Sequence, residues 1–354
     1  MDDKKQGRDA SSERRHAQAK KVKKKRKKRM PAAAAIIIDL LIAALALYFF
    51  SLYYFLLPQD LSDKAQPLPK ATSTVTEFKA IIPLKTEEPD TLTQAPSPTA
   101  VQDDSMWGPK FQGIFTDGDV EKTPNSYRSA NISISIDKVQ GDGITYYVAD
   151  IYLKDLKYFK TAFAKGKYGK GLHDGTDEIA AENNAILAIN GDYYGNNAGP
   201  VVRNGVLYRE EKYKDVLVMN YDGSMQTLTA AELDMDKIKE EGVYQIWTFG
   251  PMLLKDGQPM TTFNSNLMRE NPRTAVGYFE PGHYCFVLVD GRQPGYSNGM
   301  TLQQLSELFY NLGCSAAYNL DGGQSSEMVF FNEFVNQPYK GGRSVSDIVY
   351  IAEE

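Results

Sequence analysis

From about residue 130 onward, apolar and polar positions alternate with period two. Ile132, Ile134 and Ile136 are separated by serines, and TYYVADIYL at 145–153 repeats the pattern, which predicts two half-buried strands. Short apolar runs bounded by turn residues predict more: AILAIN (185–190), VLVMN (216–220), YQIWTF (244–249), YCFVLV (284–289), SAAYNL (315–320) and EMVFF (327–331). Asp222-Gly223 and Asp256-Gly257 read as hairpin turns. Helical periodicity is scarcer. Thr229 with Glu232, and Thr301 with Gln304, both fit a capping box. The second opens TLQQLSELFYNLG, which sets Leu302, Leu305, Leu308, Phe309 and Leu312 on one face before Gly313. A helix between YCFVLVDG and CSAAYNLDGG implies a local crossover inside an α+β domain, a mixed sheet with few helices.

The N-terminal part follows a different pattern. From Ala32 to Leu57 the chain runs 26 residues with one charge, Asp39, longer than the ~20 residues that cross a bilayer. The run closes in aromatics and Pro58 rather than in a small-residue cleavage site, so it reads as an uncleaved signal anchor. Met1 to Met30 holds 14 Lys+Arg against 4 Asp+Glu, while the whole 354-residue chain holds 40 against 45. A basic tail therefore precedes an acidic body. Abutting the apolar run, the cluster Lys20 to Arg29 is expected to stay cytoplasmic and meet anionic lipid, with the remainder outside the cell membrane, and not to bind nucleic acid. Asp39 would pair with a partner membrane helix or snorkel.

Pro58 to Ser105 has seven of the 17 prolines, eleven Ser/Thr and no glycine, the composition of an extended stalk. The expected organisation is thus a tail at 1–31, a span at 32–57, a stalk at 58–105 and one domain at 106–354. Two cysteines exclude a disulfide scaffold. Cys285 and Cys314, on strands that the intervening helix would bring side by side, could pair or remain buried thiols.

Three apolar runs end alike: AILAIN in Gly191-Asp192, YCFVLV in Asp290-Gly291, and SAAYNL in Asp321-Gly322-Gly323. An acid beside glycine at a strand end places a carboxylate where backbone or ligand can approach closely. The stretch from Asp321 to Glu327 adds consecutive N–H groups and the hydroxyls of Ser325 and Ser326, an anion-binding composition. Arg203, Arg273, Arg292 and Arg343 each stand beside turn residues, where a guanidinium suits phosphate or carboxylate. With only His16, His173 and His283 present, a Ser/His/Asp triad or a histidine zinc site is poorly supported, and carboxylate acid/base chemistry remains. If Asp192, Asp290 and Asp321 converge they would offer oxygen ligands to Ca²⁺ or Mg²⁺, although no cofactor is required.

Asn190-Gly-Asp-Tyr-Tyr194, GPVVRNG (199–205), Phe249-Gly-Pro251, Asn271-Pro-Arg-Thr274, Val289-Asp-Gly-Arg292 and Asn319-Leu-Asp-Gly-Gly323 with Ser325-Ser326, in this order, resemble the phosphodiester glycosidase family. Its members include an enzyme that removes N-acetylglucosamine from a sugar phosphodiester, and bacterial exopolysaccharide-related proteins. The resemblance covers roughly residues 130–352. It implies hydrolysis of a glycosyl-1-phosphodiester, with Asp192, Arg273, Asp290, Asp321 and Ser325 at catalytic positions. Asn190, Arg203, Arg292, Gly322, Gly323, Ser326, Asn336 and Arg343 would surround them as substrate-binding residues. Gln324 departs from the family pattern where a third glycine is usual, and Glu327 where a small polar residue is usual. Glu327 adds negative charge beside the motif unless its side chain turns to the strand's other face. The expectation is a membrane-anchored hydrolase of a phosphate-linked cell-wall or exopolysaccharide glycan; the alternative is a catalytically silent glycan-binding or scaffolding protein of the envelope.

Overall fold

The computed structural model describes residues 31–53, 57–70, 105–195 and 197–353. The basic tail and most of the expected stalk lie outside the described residues.

Ala32–Ser51 forms an α-helix whose Ile, Leu and Phe side chains are exposed all round, with Ile36, Leu40 and Leu47 each more than half accessible. A helix apolar on every side has no face for water. By length and composition it can cross a membrane. It forms a unit separate from the rest, which begins at Pro58.

That second unit is built of strands, and each strand pairing between its elements is antiparallel. Its largest sheet has nine strands in the spatial order Gln258–Pro259, Met252–Lys255, Ala316–Asn319, Arg273–Glu280, His283–Val289, Ile144–Leu153, Ile132–Gly141, Ser126–Arg128 and Glu121–Thr123. Along Ile144–Leu153 fully and partly buried positions alternate without a break, as the period-two pattern requires. His283–Val289 is buried at every position but its first. Tyr284, Phe286 and Leu288 enter the main aromatic core while Cys285, Val287 and Val289 meet the apolar face of the helix Leu302–Leu312. Both faces being covered, this strand reads in sequence as a continuous apolar run.

A five-stranded sheet runs Glu333–Phe334, Met328–Phe330, Leu187–Asn190, Asp347–Ile351, Phe159–Phe163, and a six-stranded sheet contains Val201–Arg203, Val206–Arg209, Val216–Met219 and Gln245–Trp247. Asp256 and Gly257 both have positive φ in the turn between Met252–Lys255 and Gln258–Pro259, the hairpin geometry expected of Asp-Gly.

Three expectations are corrected. The first part of the supposed stalk folds onto the domain: Gln59–Asp60 pairs with Gly169–Lys170, and Gln66–Pro67 with Val206 and Leu207. Leu61 and Leu68 pack on apolar clusters, so a proline-rich composition here marks edge strands rather than free chain. The Thr229/Glu232 box closes both its hydrogen bonds but caps only a turn; the helix begins at Met235, capped by Asp234. The Thr301/Gln304 box does open its helix, which ends on left-handed Gly313. Finally, the helix Leu302–Leu312 carries the chain across Arg273–Glu280, so the strands on either side of it are not neighbours. Cys285 and Cys314, which precedes its strand, are both buried and free, their sulfurs 3.8 Å apart.

Candidate functional site

The registers decide what meets. Arg273 lies opposite Val289, and Ala275 opposite Asn319, so the start of Arg273–Glu280 and the ends of its two neighbours share one sheet edge. That edge carries Arg273, Asp290 and Asp321. The five-stranded sheet joins it through Asn190, whose amide donates to the Asp321 carbonyl (2.7 Å) and whose Oδ1 accepts from the Thr274 hydroxyl (2.7 Å) and the Glu327 N–H (3.3 Å). Asn190 is thereby fully occupied in holding the turn after Asn319.

On this turn stands the most chemically open group. Asp321 is 6% exposed and ion-pairs with Arg343 (2.7 Å), whose Nε also donates to Ser325 Oγ. Burial raises the Asp321 carboxyl above its ordinary range, against the opposing pull of Ser325 and Arg343. The Arg343 guanidinium lies 4.9 Å over the Tyr193 ring, and His173 packs against the same ring at 5.8 Å. His173 Nδ1 is buried with no partner among the described residues, and burial together with the Arg343 charge lowers its pKa.

Gly323, at φ +68°, allows the second arginine in. A Cβ there would sit 3.1 Å from the Arg292 guanidinium. Arg292 is exposed and grips Asn271 Oδ1 through Nε (3.1 Å) and Nη2 (2.8 Å). Next to it, Arg273 is 4% exposed and donates to the carbonyls of Met300 (3.0 Å), Leu267 (2.7 Å) and Arg269 (2.6 Å). No carboxylate pairs with Arg273 among the described residues, and its Nη1 is left without a protein acceptor. Burial, with the Arg292 charge beside it, pulls its pKa down to about 10. The turn at Asp321, Gly322, Gly323 and Ser325 is therefore flanked by two guanidiniums, those of Arg343 and Arg292, beside one carboxylate, while the Arg273 guanidinium is engaged by the Met300, Leu267 and Arg269 carbonyls.

The other expected residues fall into two separate clusters. Arg203 is 2% exposed and engaged by the protein itself: it donates four hydrogen bonds, to Asp347 and to the carbonyls of Val202 and Ile246, and Nη2 ion-pairs with Asp192 Oδ1 at 2.8 Å. Asp192 is completed by the Thr248 N–H at 2.7 Å. Asp347 lies so close beneath Gly191 that a Cβ there would meet its Oδ1 at 2.3 Å. Burial and the neighbouring Asp192 raise the Asp347 carboxyl, Arg203 opposing them.

Asp290 is 1% exposed and its carboxylate accepts from Asn336 Nδ2 (2.8 Å), Tyr296 Oη (2.8 Å) and the Gln337 N–H (3.1 Å). Asn336 also donates to the Ser326 carbonyl (3.1 Å) and accepts from Met328 N–H (2.9 Å), so it has no amide left for substrate. Ser326 Oγ is buried and has no hydrogen-bond partner among the described residues. Asp192, Asp290 and Asp321 thus share a region of backbone while each carboxylate faces its own partners, and no three His, Cys, Asp or Glu among the described residues form a metal-ligand group.

Glu327 turns away from the Asp321 turn. Its carboxylate accepts from the Thr176 hydroxyl and the Arg343 N–H (3.2 Å), and burial raises it to about 7. Gln324 donates to the Gly342 carbonyl at 2.6 Å. Both departures from the family motif are thus committed to the loop that carries Arg343. Sequence reasoning did not single out Asp347 or Tyr296, named Tyr193 only inside the Asn190–Tyr194 motif and His173 only as one of three histidines; the contacts of Asp347, Tyr193 and His173 come from neighbours distant in sequence.

YomE, an uncharacterized SPbeta prophage-derived protein of Bacillus subtilis (strain 168), is 29% identical over 237 residues, 59% of this chain and 36% of the relative. The chain therefore spans about a third of that relative's length. The catalytic domain of zebrafish N-acetylglucosamine-1-phosphodiester alpha-N-acetylglucosaminidase, solved auto-inhibited by its pro-peptide, shares the fold with a TM-score of 0.51 at 18% identity, over 63% of this chain and 83% of that one. Residues 183–352 match the sequence profile of one family, and this stretch holds the Asp321 turn together with Arg273, Arg292 and Arg343. That profile describes the phosphodiester glycosidases, and over this stretch the chain is similar to them.

Proposed function

We propose that the protein is a membrane-anchored, extracytoplasmic hydrolase that cleaves a glycosyl-1-phosphodiester in a cell-envelope or exopolysaccharide glycan. The observation that carries this reading is the Asp321 turn: one buried carboxylate between two guanidiniums, one of which, Arg292, has no carboxylate partner among the described residues. Breaking the bond between the anomeric carbon and phosphate oxygen converts a singly charged diester into a phosphomonoester that carries a second negative charge. Arg292 and Arg343 would stabilise that charge as it develops, in a site partly shielded from water. Asp321 would supply the carboxylate that faces the oxocarbenium-like centre, and water completes the sugar. Asp290, saturated by three donors, would act as a positioning group, and the Arg203 cluster would hold the strand end at Asn190 in place.

The apolar helix at 32–51 would anchor the chain, with the Lys20–Arg29 cluster keeping the N-terminus in the cytoplasm. The test is hydrolysis of a panel of sugar-1-phosphodiesters, following reducing sugar and phosphomonoester together. Asp321→Asn and Arg343→Ala are each expected to lower kcat at least ~100-fold, the scale for loss of a major electrostatic or acid/base group. Unchanged turnover in both variants refutes the site. Absence of turnover in the wild type, with retained binding of a phosphorylated glycan, assigns the protein to the silent binders, the reading that Gln324 favours by standing in place of a glycine.

A further inference from the structure

A cleft of about 370 Å³ opens beside the Asp290 strand end, lined by Asn125, Asp137, Lys138, Tyr147, Glu333 and Phe334, among others. We propose that it is a subsite for uncharged sugar residues of the substrate, which makes that substrate an extended glycan; this rests on the hydrolase reading above and deepens it.

The volume lies in the range of small-ligand pockets. Its charge argues against phosphate: two carboxylates face one ammonium, and Lys138 Nζ lies over the rings of Tyr147 (5.6 Å) and Tyr296 (5.8 Å) rather than standing free for an anion. Phe334 is 42% exposed on the outer strand of the five-stranded sheet, an aromatic face without a ring partner among the described residues. Asp137 and Glu333 have no hydrogen-bond or ion-pair partner there either, and both are exposed. A pyranose matches this lining, with an apolar C–H face for the ring and a rim of hydroxyls for the carboxylates.

The cleft is also joined to the arginine turn. Its wall continues from Phe334 into Asn336 and Gln337, both held by Asp290. Asn336 donates to the Ser326 carbonyl (3.1 Å), and Gln293, the residue after Arg292, donates to the Gln337 carbonyl (2.9 Å). A sugar in the cleft and a phosphate on the guanidiniums would thus lie on one hydrogen-bonded unit, which is the arrangement a polymer with neutral units beside a phosphodiester requires.

The experiment titrates the detergent-solubilised full chain by calorimetry with chitotetraose, cellotetraose and maltotetraose. At least one is expected to bind, Phe334→Ala to weaken that binding at least ~5-fold with an unchanged near-ultraviolet circular dichroism spectrum, and Arg343→Ala to leave it intact. In kinetics, Phe334→Ala should lower kcat/KM about tenfold on a phosphodiester bearing an oligosaccharide and leave a monosaccharide phosphodiester unaffected. If none of the three binds, or if Phe334→Ala and Asp137→Asn both bind as the wild type does, the subsite is refuted. Phe334-sensitive binding without hydrolysis of any phosphodiester upholds the cleft and overturns the hydrolase reading.

Discussion

Glu327 offers a prediction whose size follows from its surroundings. The side chain is 2% exposed and its carboxylate accepts from two donors, the Thr176 hydroxyl and the Arg343 N–H, with no cation paired to it among the described residues. Burial lifts its pKa from the ordinary 4.5 to about 7. A carboxyl raised in the folded state binds its proton more tightly there than in the unfolded chain. Its contribution is therefore fully present below the unfolded pKa and is lost as pH rises through the folded one. A shift of this size corresponds to roughly 3 kcal/mol of stability lost between about pH 4.5 and 7.5. Glu327→Gln removes the titration and keeps the shape: the amide oxygen still accepts from one donor, and its NH₂ can donate to the Thr176 hydroxyl. Urea denaturation of the fragment 58–354 at half-unit steps from pH 5 to 8 measures the difference between wild type and variant. The other raised carboxyls, Asp290, Asp321 and Asp347, are common to both proteins and cancel in that difference. The variant should gain on the wild type steadily with pH, by about 2 to 3 kcal/mol over the range. A difference that stays constant with pH would show that Glu327 is not buried as a proton-binding group, and the reasoning fails.

Two further outcomes test the architecture. Arg203→Met strands two buried carboxylates and should cost about 3 to 5 kcal/mol in the same denaturation assay, the scale for removing one partner of a buried pair; a loss below about 1 kcal/mol would contradict the cluster of Arg203, Asp192 and Asp347. A fragment beginning at Met106 lacks both N-terminal strand pairings and the packing of Leu61 and Leu68. Against 58–354 it should lose about 2 kcal/mol or more, seen as a lower calorimetric Tm, and equal Tm values would show that the clasp adds nothing.

The local parts of this protein follow from its sequence. The strands at 132–141 and 144–153, the helix opened by Thr301, the Asp-Gly hairpin at 256–257 and the apolar helix at 32–51 each arise from periodicity, capping or turn chemistry that acts within a few residues. So does the presence of an acid at each of three strand ends. Which partner each acid meets is another matter. Asp192, Asp290 and Asp321 end similar runs, yet one is locked against Arg203, one is saturated by Asn336, Tyr296 and Gln337, and one is left beside Arg343 in a turn that Arg292 also flanks. Those differences depend on strand order and register, through the pairing of Arg273 with Val289 and of Ala275 with Asn319 and through the contact of Asn190 with Asp321 across two sheets. The same holds for residues 58–69, whose three prolines speak for extended chain while open sheet edges more than 100 residues away in sequence make strands of Gln59–Asp60 and Gln66–Pro67. Propensity acts along the chain, whereas burial, charge pairing and pKa are set by groups that only the folded backbone brings within a few ångströms.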